Sequence, residues 1–409
     1  MTHRSNVKLG VEVFLEKHLD LVKSKRVGLI TNPTGTDSAA TSTIILFANA
    51  PDIHLAALYG PEHGVRGDAQ AGEYVPFDRE KKLDIPVFSL YGQSKTPDQD
   101  MMANIDESMR SFDTVDEGKL IEPSMVENID ILVFDIQDVG TRIYTYIATM
   151  AYAMQTCAEN NKEFIVLDRP NPINGTDMEG PILEYPKYSS FVGLYPIPVR
   201  HGMTVGELAQ LFNSNFLSQK TNLTVIPMKG WERSMWFDET ALPWIFPSPN
   251  MPSLDTVTVY PGQVFLEGTN VSEGRGTTKP FEIFGAPWID GAQLAKALNN
   301  LKLPGVRFQK TWFTPEISKY QGQVCEGAQI HVTDRTRFKP FETSMFIIQA
   351  IMDMNIEQFL FHSEYFDKIM GTSTVREELE EHHDVSEIMN KFYSDLDVFN
   401  NIRKPHLLY

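Results

Sequence analysis

Cysteine is nearly absent from this chain of 409 residues: Cys157 and Cys325 are the only two, far apart and without metal-ligand spacing. That excludes a disulfide scaffold and leaves a pair of thiols or a single disulfide open. Positive charge is also short. Thirty-six Lys and Arg stand against 54 Asp and Glu, for a net charge of −18 and a pI near 5.0. Phosphate backbones and anionic membranes select a basic face, so neither is expected as the main partner. An anionic small substrate stays open, because a few local arginines override the global field. Long apolar runs are missing as well, and nothing approaches the roughly 18 residues of a membrane span. The start, Met1-Thr-His-Arg-Ser-Asn-Val-Lys-Leu-Gly10, has no apolar signal-peptide core. A cytoplasmic chain is expected, or one whose leader was removed before this numbering begins.

Several motifs are missing too. No Gly-x-x-x-x-Gly-Lys-[Ser/Thr] or Gly-x-Gly-x-x-Gly occurs, which disfavours nucleotide binding. No Gly-x-Ser-x-Gly, His-Glu-x-x-His or Cys-x-x-Cys occurs, which disfavours serine hydrolases, zincins and thioredoxins. What is present is ordinary globular material: 42% hydrophobic, 11% aromatic and 22% charged. It suffices for about two or three domain-sized units with a sizeable core.

Short β-branched runs alternate with helical patterns. Strands are expected at 27–32, 54–59, 85–91, 129–135, 163–168 and 223–228. Helices are expected at 40–48, 144–160 and 204–216, the last with a Thr204/Glu207 capping box. This alternation predicts an α/β fold with a mostly parallel sheet and flanking helices. Beyond about residue 285 the texture changes to a helix (290–301), strands (306–313 and 328–332), a helix (341–354) and an acidic helical tail. Two domains follow: residues 1–284, and a smaller α+β domain over 285–409.

In such sheets ligands bind beyond the carboxyl ends of the strands, where the polar clusters of this sequence fall. The first is Tyr59-Gly-Pro-Glu-His-Gly-Val-Arg-Gly-Asp-Ala-Gln-Ala-Gly72, in which Glu62, His63, Arg66 and Asp68 stand among glycines that let a ligand approach. His–carboxylate proximity alone does not make a metal site. No metal or cofactor is expected. The second cluster, Phe134 to Tyr146, offers Asp135, Asp138 and Arg142. Asp138 fits a ligand contact or a helix cap alike. In Asp168-Arg-Pro-Asn-Pro172 two prolines stiffen the display of Asp168, Arg169 and Asn171. His201 precedes the capped helix and fits a structural or a functional role. The longest cluster, Glu267-Gly-Thr-Asn-Val-Ser-Glu-Gly-Arg-Gly-Thr277, mixes Glu267, Asn270, Ser272, Glu273 and Arg275 with glycine. Paired Glu and Arg there suit carbohydrate or carboxylate recognition. Trp231, Trp236 and Trp244 fit either sugar stacking or core packing. Carboxylate-rich, Gly-rich and aromatic loops match two-carboxylate chemistry on a glycoside.

Taken together, Gly60-Pro-Glu-His-Gly64 with Arg66-Gly-Asp68, Phe134 to Arg142, Asp168 to Pro172, Ser248-Pro-Asn-Met-Pro252 and Glu267 to Thr277 resemble the NamZ-type exo-β-N-acetylmuramidases, earlier known as a bacterial domain of unknown function. The similarity runs from about Val7 to the C-terminus. It implies an active cleft between a Rossmann-like catalytic domain and a smaller C-terminal one. It also implies release of N-acetylmuramic acid from the non-reducing end of peptidoglycan-derived muramyl saccharides. Glu62 is then the leading catalytic residue and the expected general acid, with Glu273, ahead of Asp168, as the expected partner carboxylate. Substrate contacts are expected from His63, Arg66, Asp68, Asp138, Arg142, Asn171, His201, Asn270 and Arg275. Of these, Arg66 and Arg275 are the leading candidates to meet the lactyl carboxylate of the sugar. Members acting outside the cell carry a leader, so secretion is the resemblance's alternative to a cytoplasmic location. An esterase or deacetylase of amino sugars and a non-catalytic wall-sugar-binding protein are the competing classes.

Overall fold

Apolar runs too short for helices become the strands of the main sheet. The computed structural model describes residues 6–69, 78–80, 83–90 and 121–409, so residues 70–72 of the first polar cluster lie outside it. In chain order the strands are β1 (Arg26–Thr31), β2 (His54–Gly60), β3 (Asp78–Glu80), β4 (Ile85–Ser89), β5 (Ile131–Asp135) and β6 (Glu163–Leu167). A two-stranded ribbon of β7 (Glu179–Ile182) and β8 (Pro198–Arg200) precedes β9 (Asn222–Ile226). The main sheet has the order β3-β4-β2-β1-β5-β6-β9. All its neighbours pair in parallel except β3, which runs antiparallel to β4 at the edge. Every residue of β5 and all but the first of β1 are buried, as expected of strands covered on both faces.

The chain runs from β1 outward through β2 to β4, then returns to β5 and runs the other way. The sheet therefore reverses direction between β1 and β5, where Thr31 pairs with Asp135. A crevice opens beyond such a switch point. Helix Tyr146–Glu159, rich in Ala and Met, is buried on nearly all sides. Helix Val205–Asn215 carries the expected box: Thr204 accepts from the Glu207 amide, and Glu207 accepts from the Thr204 amide.

The remaining strands, β10 (Ile283–Ala286), β11 (Val306–Phe313) and β12 (Cys325–Val332), form an antiparallel sheet of order β10-β12-β11. Helix Gly291–Asn300 packs on it, helix Pro340–Met354 packs against that helix, and the acidic tail forms helices Ser363–Met370, Thr374–Glu380, Val385–Asn390 and Tyr393–Arg403. One continuous core joins both sheets, from Ile30 and Phe134 to Phe284, Met345 and Ile369. Cys157 and Cys325 are both buried free thiols. Among the described residues no helix is long and apolar enough to cross a membrane.

Candidate active site

β2 delivers the chain to Gly60 at the crevice, where Pro61 and Gly64 close a turn through a Gly64 amide to Pro61 carbonyl bond of 2.8 Å. Close approach makes Gly60 necessary, since a Cβ there would lie 2.7 Å from the Val65 amide nitrogen. His63 holds φ at +71°, a left-handed conformation that is uncommon for non-glycine residues. Its Nδ1 lies 2.8 Å from the Ala69 carbonyl, so Nδ1 carries a hydrogen and donates it there. Glu62 is buried, and its Oε2 accepts a 2.7 Å bond from the hydroxyl of Thr145, immediately before helix Tyr146–Glu159.

These residues form one wall of a pocket of about 460 Å³, open to solvent. Tyr144, Ser248 and Asn250 continue that wall, and Tyr260, Glu267, Arg275 and Tyr365 also line the pocket. Tyr144 meets Tyr260 edge to face with ring centres 5.8 Å apart. Tyr146, which accepts from the Asn32 side chain and donates to the Pro247 carbonyl, ties the end of β1 to the Ser-Pro-Asn-Met-Pro segment. Burial raises the pKa of Tyr144, Tyr260 and Tyr365, keeping all three phenols protonated.

Glu267 stands in a 3₁₀ turn (Val264–Gly268). Its Oε1 accepts from Arg275 Nε at 2.8 Å and Nη2 at 2.6 Å, while among the described residues its Oε2 has a long 3.4 Å contact from the Tyr365 hydroxyl. Burial lifts the Glu267 carboxyl above its usual range. Arg275 pulls it down and Glu273 pushes it further up. Burial opposes the charge of Arg275, but Glu267 and Glu273 outweigh it and raise its pKa.

The structure brings Glu62, His63 and Arg275 together at the pocket. Glu273 lies behind Arg275 with 1% exposure, its Oε2 3.1 Å from Lys319 Nζ and its Oε1 3.6 Å from Arg275 Nε. Asp168 is fully buried at the end of β6 and accepts from the Arg169 and Gly206 amides and the Thr204 and Tyr409 hydroxyls. Arg66 and Asp68 are exposed on the loop after Gly64. Asp138 is buried with Oδ1 unpartnered and Oδ2 3.8 Å from His201 Nε2, and His201 Nδ1 accepts from the Met203 amide. Arg142 donates to four carbonyls: Pro181 and Ile197 through Nη1, Ile369 and Met370 through Nη2. Asn171 binds the Met203 carbonyl and the Ile173 amide, and Asn270 binds Gln358 and Leu360. Arg169 forms a buried two-bond pair with Asp135. Among the described residues no three His, Cys, Asp or Glu side chains converge as metal ligands.

A pocket with two carboxylates and tyrosine walls at the switch point can be set against known proteins. The models for Exo-beta-N-acetylmuramidase NamZ match residues 27–119 and 112–255 (N-terminal) and 258–409 (C-terminal). The chain belongs to the NamZ exo-β-N-acetylmuramidase family. It is 48% identical over 407 residues to the peptidoglycan beta-N-acetylmuramidase NamZ of Bacillus subtilis (strain 168), covering 99% of this chain and 92% of that one. Two crystal structures of DUF1343 family proteins from Bacteroides fragilis NCTC 9343 share the fold. One has 37% identity and a TM-score of 0.86, the other 30% and 0.73, each covering 99% of both chains. This NamZ-family pocket also contains residues to which the sequence assigns no catalytic role. Glu267 is visible only as one of two glutamates in a Gly-rich loop, and Tyr365 sits in a tail helix with no local motif.

Proposed function

We propose that this protein is an exo-acting β-N-acetylmuramidase that hydrolyses the β-glycosidic bond of a non-reducing-end N-acetylmuramic acid in peptidoglycan fragments. The supporting observation is Glu62, a buried carboxyl group held at one oxygen by Thr145 at the mouth of the sheet's crevice. In this reading Glu62 protonates the glycosidic oxygen as the bond to the anomeric carbon breaks. Tyrosine rings offer the sugar apolar faces. Residues 285–409 form the unit that closes the cleft, and Tyr365 is its contribution to the pocket. The lactyl carboxylate is met by an arginine of the site loops, for which Arg66 and Arg275 stand at hand.

Incubation with a chromogenic β-N-acetylmuramide and with the matching glucosaminide tests the reading. Chromophore release from the muramide, and far less from the glucosaminide, is expected. Free acetate without glycoside cleavage would instead identify a deacetylase, and tight binding without turnover would identify a sugar-binding protein.

A further inference from the structure

Asp168, Glu273 and Glu267 are carboxylates of the candidate loops that could assist Glu62, and their surroundings differ sharply. Asp168 has four donors on its two oxygens and lies at the end of β6, away from the pocket lining. Glu273 has a cation at each oxygen and is covered by Arg275 and Lys319. Lys319 is itself fixed there by the carbonyls of Leu266, Glu267 and Val271. Glu267 differs from both. It lines the same pocket as Glu62, with Oε1 pinned by two Arg275 donors and Oε2, among the described residues, held by the long Tyr365 contact.

The geometry points to Glu267 as the second catalytic carboxylate, its Oε2 facing the anomeric centre of the sugar that Glu62 protonates. The inference rests on the glycosidase reading above. Glycoside cleavage builds positive charge at the ring carbon and oxygen, and a carboxylate held in place at the pocket wall stabilises that charge without reorganising. Arg275 holds Glu267 in place by taking one oxygen, and Glu273 and Lys319 balance each other behind it. The four-charge cluster thus presents a single carboxylate oxygen to the substrate.

The test compares Glu267→Gln, Glu267→Ala and Glu273→Gln on the chromogenic muramide. Glu267→Gln keeps the shape and removes the charge, so kcat is expected to fall about 10²–10³-fold with KM within a few-fold and the melting temperature unchanged. Azide or formate is expected to restore part of the turnover of Glu267→Ala, a readout that a merely structural side chain would not give. Glu273→Gln is expected to lose less than Glu267→Gln. Retention of more than about a tenth of wild-type kcat by Glu267→Gln overturns the inference, as does an equal or larger loss in Glu273→Gln or absence of anion rescue. If the wild-type chain releases nothing from the muramide, the glycosidase reading falls and this inference falls with it. If the wild type is active and Glu267→Gln is too, only this inference falls.

Discussion

Glu62 and Thr145 come from loops 83 residues apart in sequence, yet a 2.7 Å bond fixes the carboxyl group against the start of a buried helix. Glu62→Gln preserves the acceptor for Thr145 and removes the proton that an acid must deliver. Turnover of an unactivated disaccharide is expected to fall by about 10²–10⁴-fold, the span of general acid catalysis. Near-wild-type turnover in steady-state assays would remove Glu62 from the mechanism. Arg66, exposed three residues after the pocket-lining His63, addresses specificity. Arg66→Ala is expected to weaken muramide binding about ten- to a hundredfold, the worth of one charge-assisted bond, with glucosaminide binding unaltered. Calorimetric titration with both sugars checks this, and equal losses would assign Arg66 to loop support. The place of Glu62 was legible in the sequence, because a Gly-rich loop following a buried strand marks the crevice. The division of labour between Glu267 and Glu273 was not. Both lie in one glycine-rich segment, and what separates them is Lys319, 46 residues further on, which neutralises one and not the other.

Elements with a clear period emerged close to their expected bounds. β1, β2, β6 and β11 follow the apolar runs, and helix Val205–Asn215 starts at its capping box. Helix Leu254–Gln263 was hidden, because Leu-Asp-Thr-Val-Thr-Val-Tyr-Pro-Gly-Gln is β-branched and contains Pro261. Tertiary burial overrides that weak local preference. Residues Thr256–Gln263 are all buried, and a Cβ on Gly262 would lie 2.0 Å from the Pro340 carbonyl oxygen of the neighbouring helix. The role of the chain end was equally invisible. Tyr409 donates its hydroxyl to Asp168, packs edge to face on Trp231 and accepts from the Met228 amide. Burial pushes the Asp168 carboxyl up to about 7, against the pull of the Tyr409, Gly206 and Thr204 bonds and with Glu207 adding to the rise. An unfolded aspartate titrates near 3.9, so between about pH 4 and 7 the folded state holds a proton that the unfolded state has released. The stabilisation from Asp168 is complete below that window and is lost as pH rises through it. Asp168→Asn is expected to remove this slope. Melting temperatures of both chains from pH 4 to 8 would show it, and parallel curves would mean that Asp168 stays ionised in the fold.

At the scale of the whole molecule, the site needs the Rossmann-like sheet to supply Glu62 and the tail helix Ser363–Met370 to supply Tyr365. Arg142 links the two. It is fully buried and reaches Pro181 and Ile197 on one side and Ile369 and Met370, the last residues of that tail helix, on the other. Burial pushes its pKa down to about 9, which leaves the guanidinium charged at neutral pH. Gly371 permits the close approach: its φ is +79°, and a Cβ there would lie 2.9 Å from Arg142 Nη2. The loop residues of the sequence suggested substrate contact for Arg142, whereas in the structure its guanidinium donates four bonds, all to main-chain carbonyls. Arg142→Met keeps the apolar stem and leaves four carbonyls without their donor. Even with partial rescue by water, a loss of about 3 kcal/mol or more is expected, since bonds to charged groups contribute about 1.5–3 kcal/mol each and do not add fully. The tail helix should loosen first. Because Tyr365 lies on it beside Glu267, turnover should fall while the sheet and the Glu62 loop keep their protection. Hydrogen exchange on the Arg142→Met chain separates the two outcomes: faster exchange confined to residues 363–371 supports the link, and uniform destabilisation assigns Arg142 to the common core.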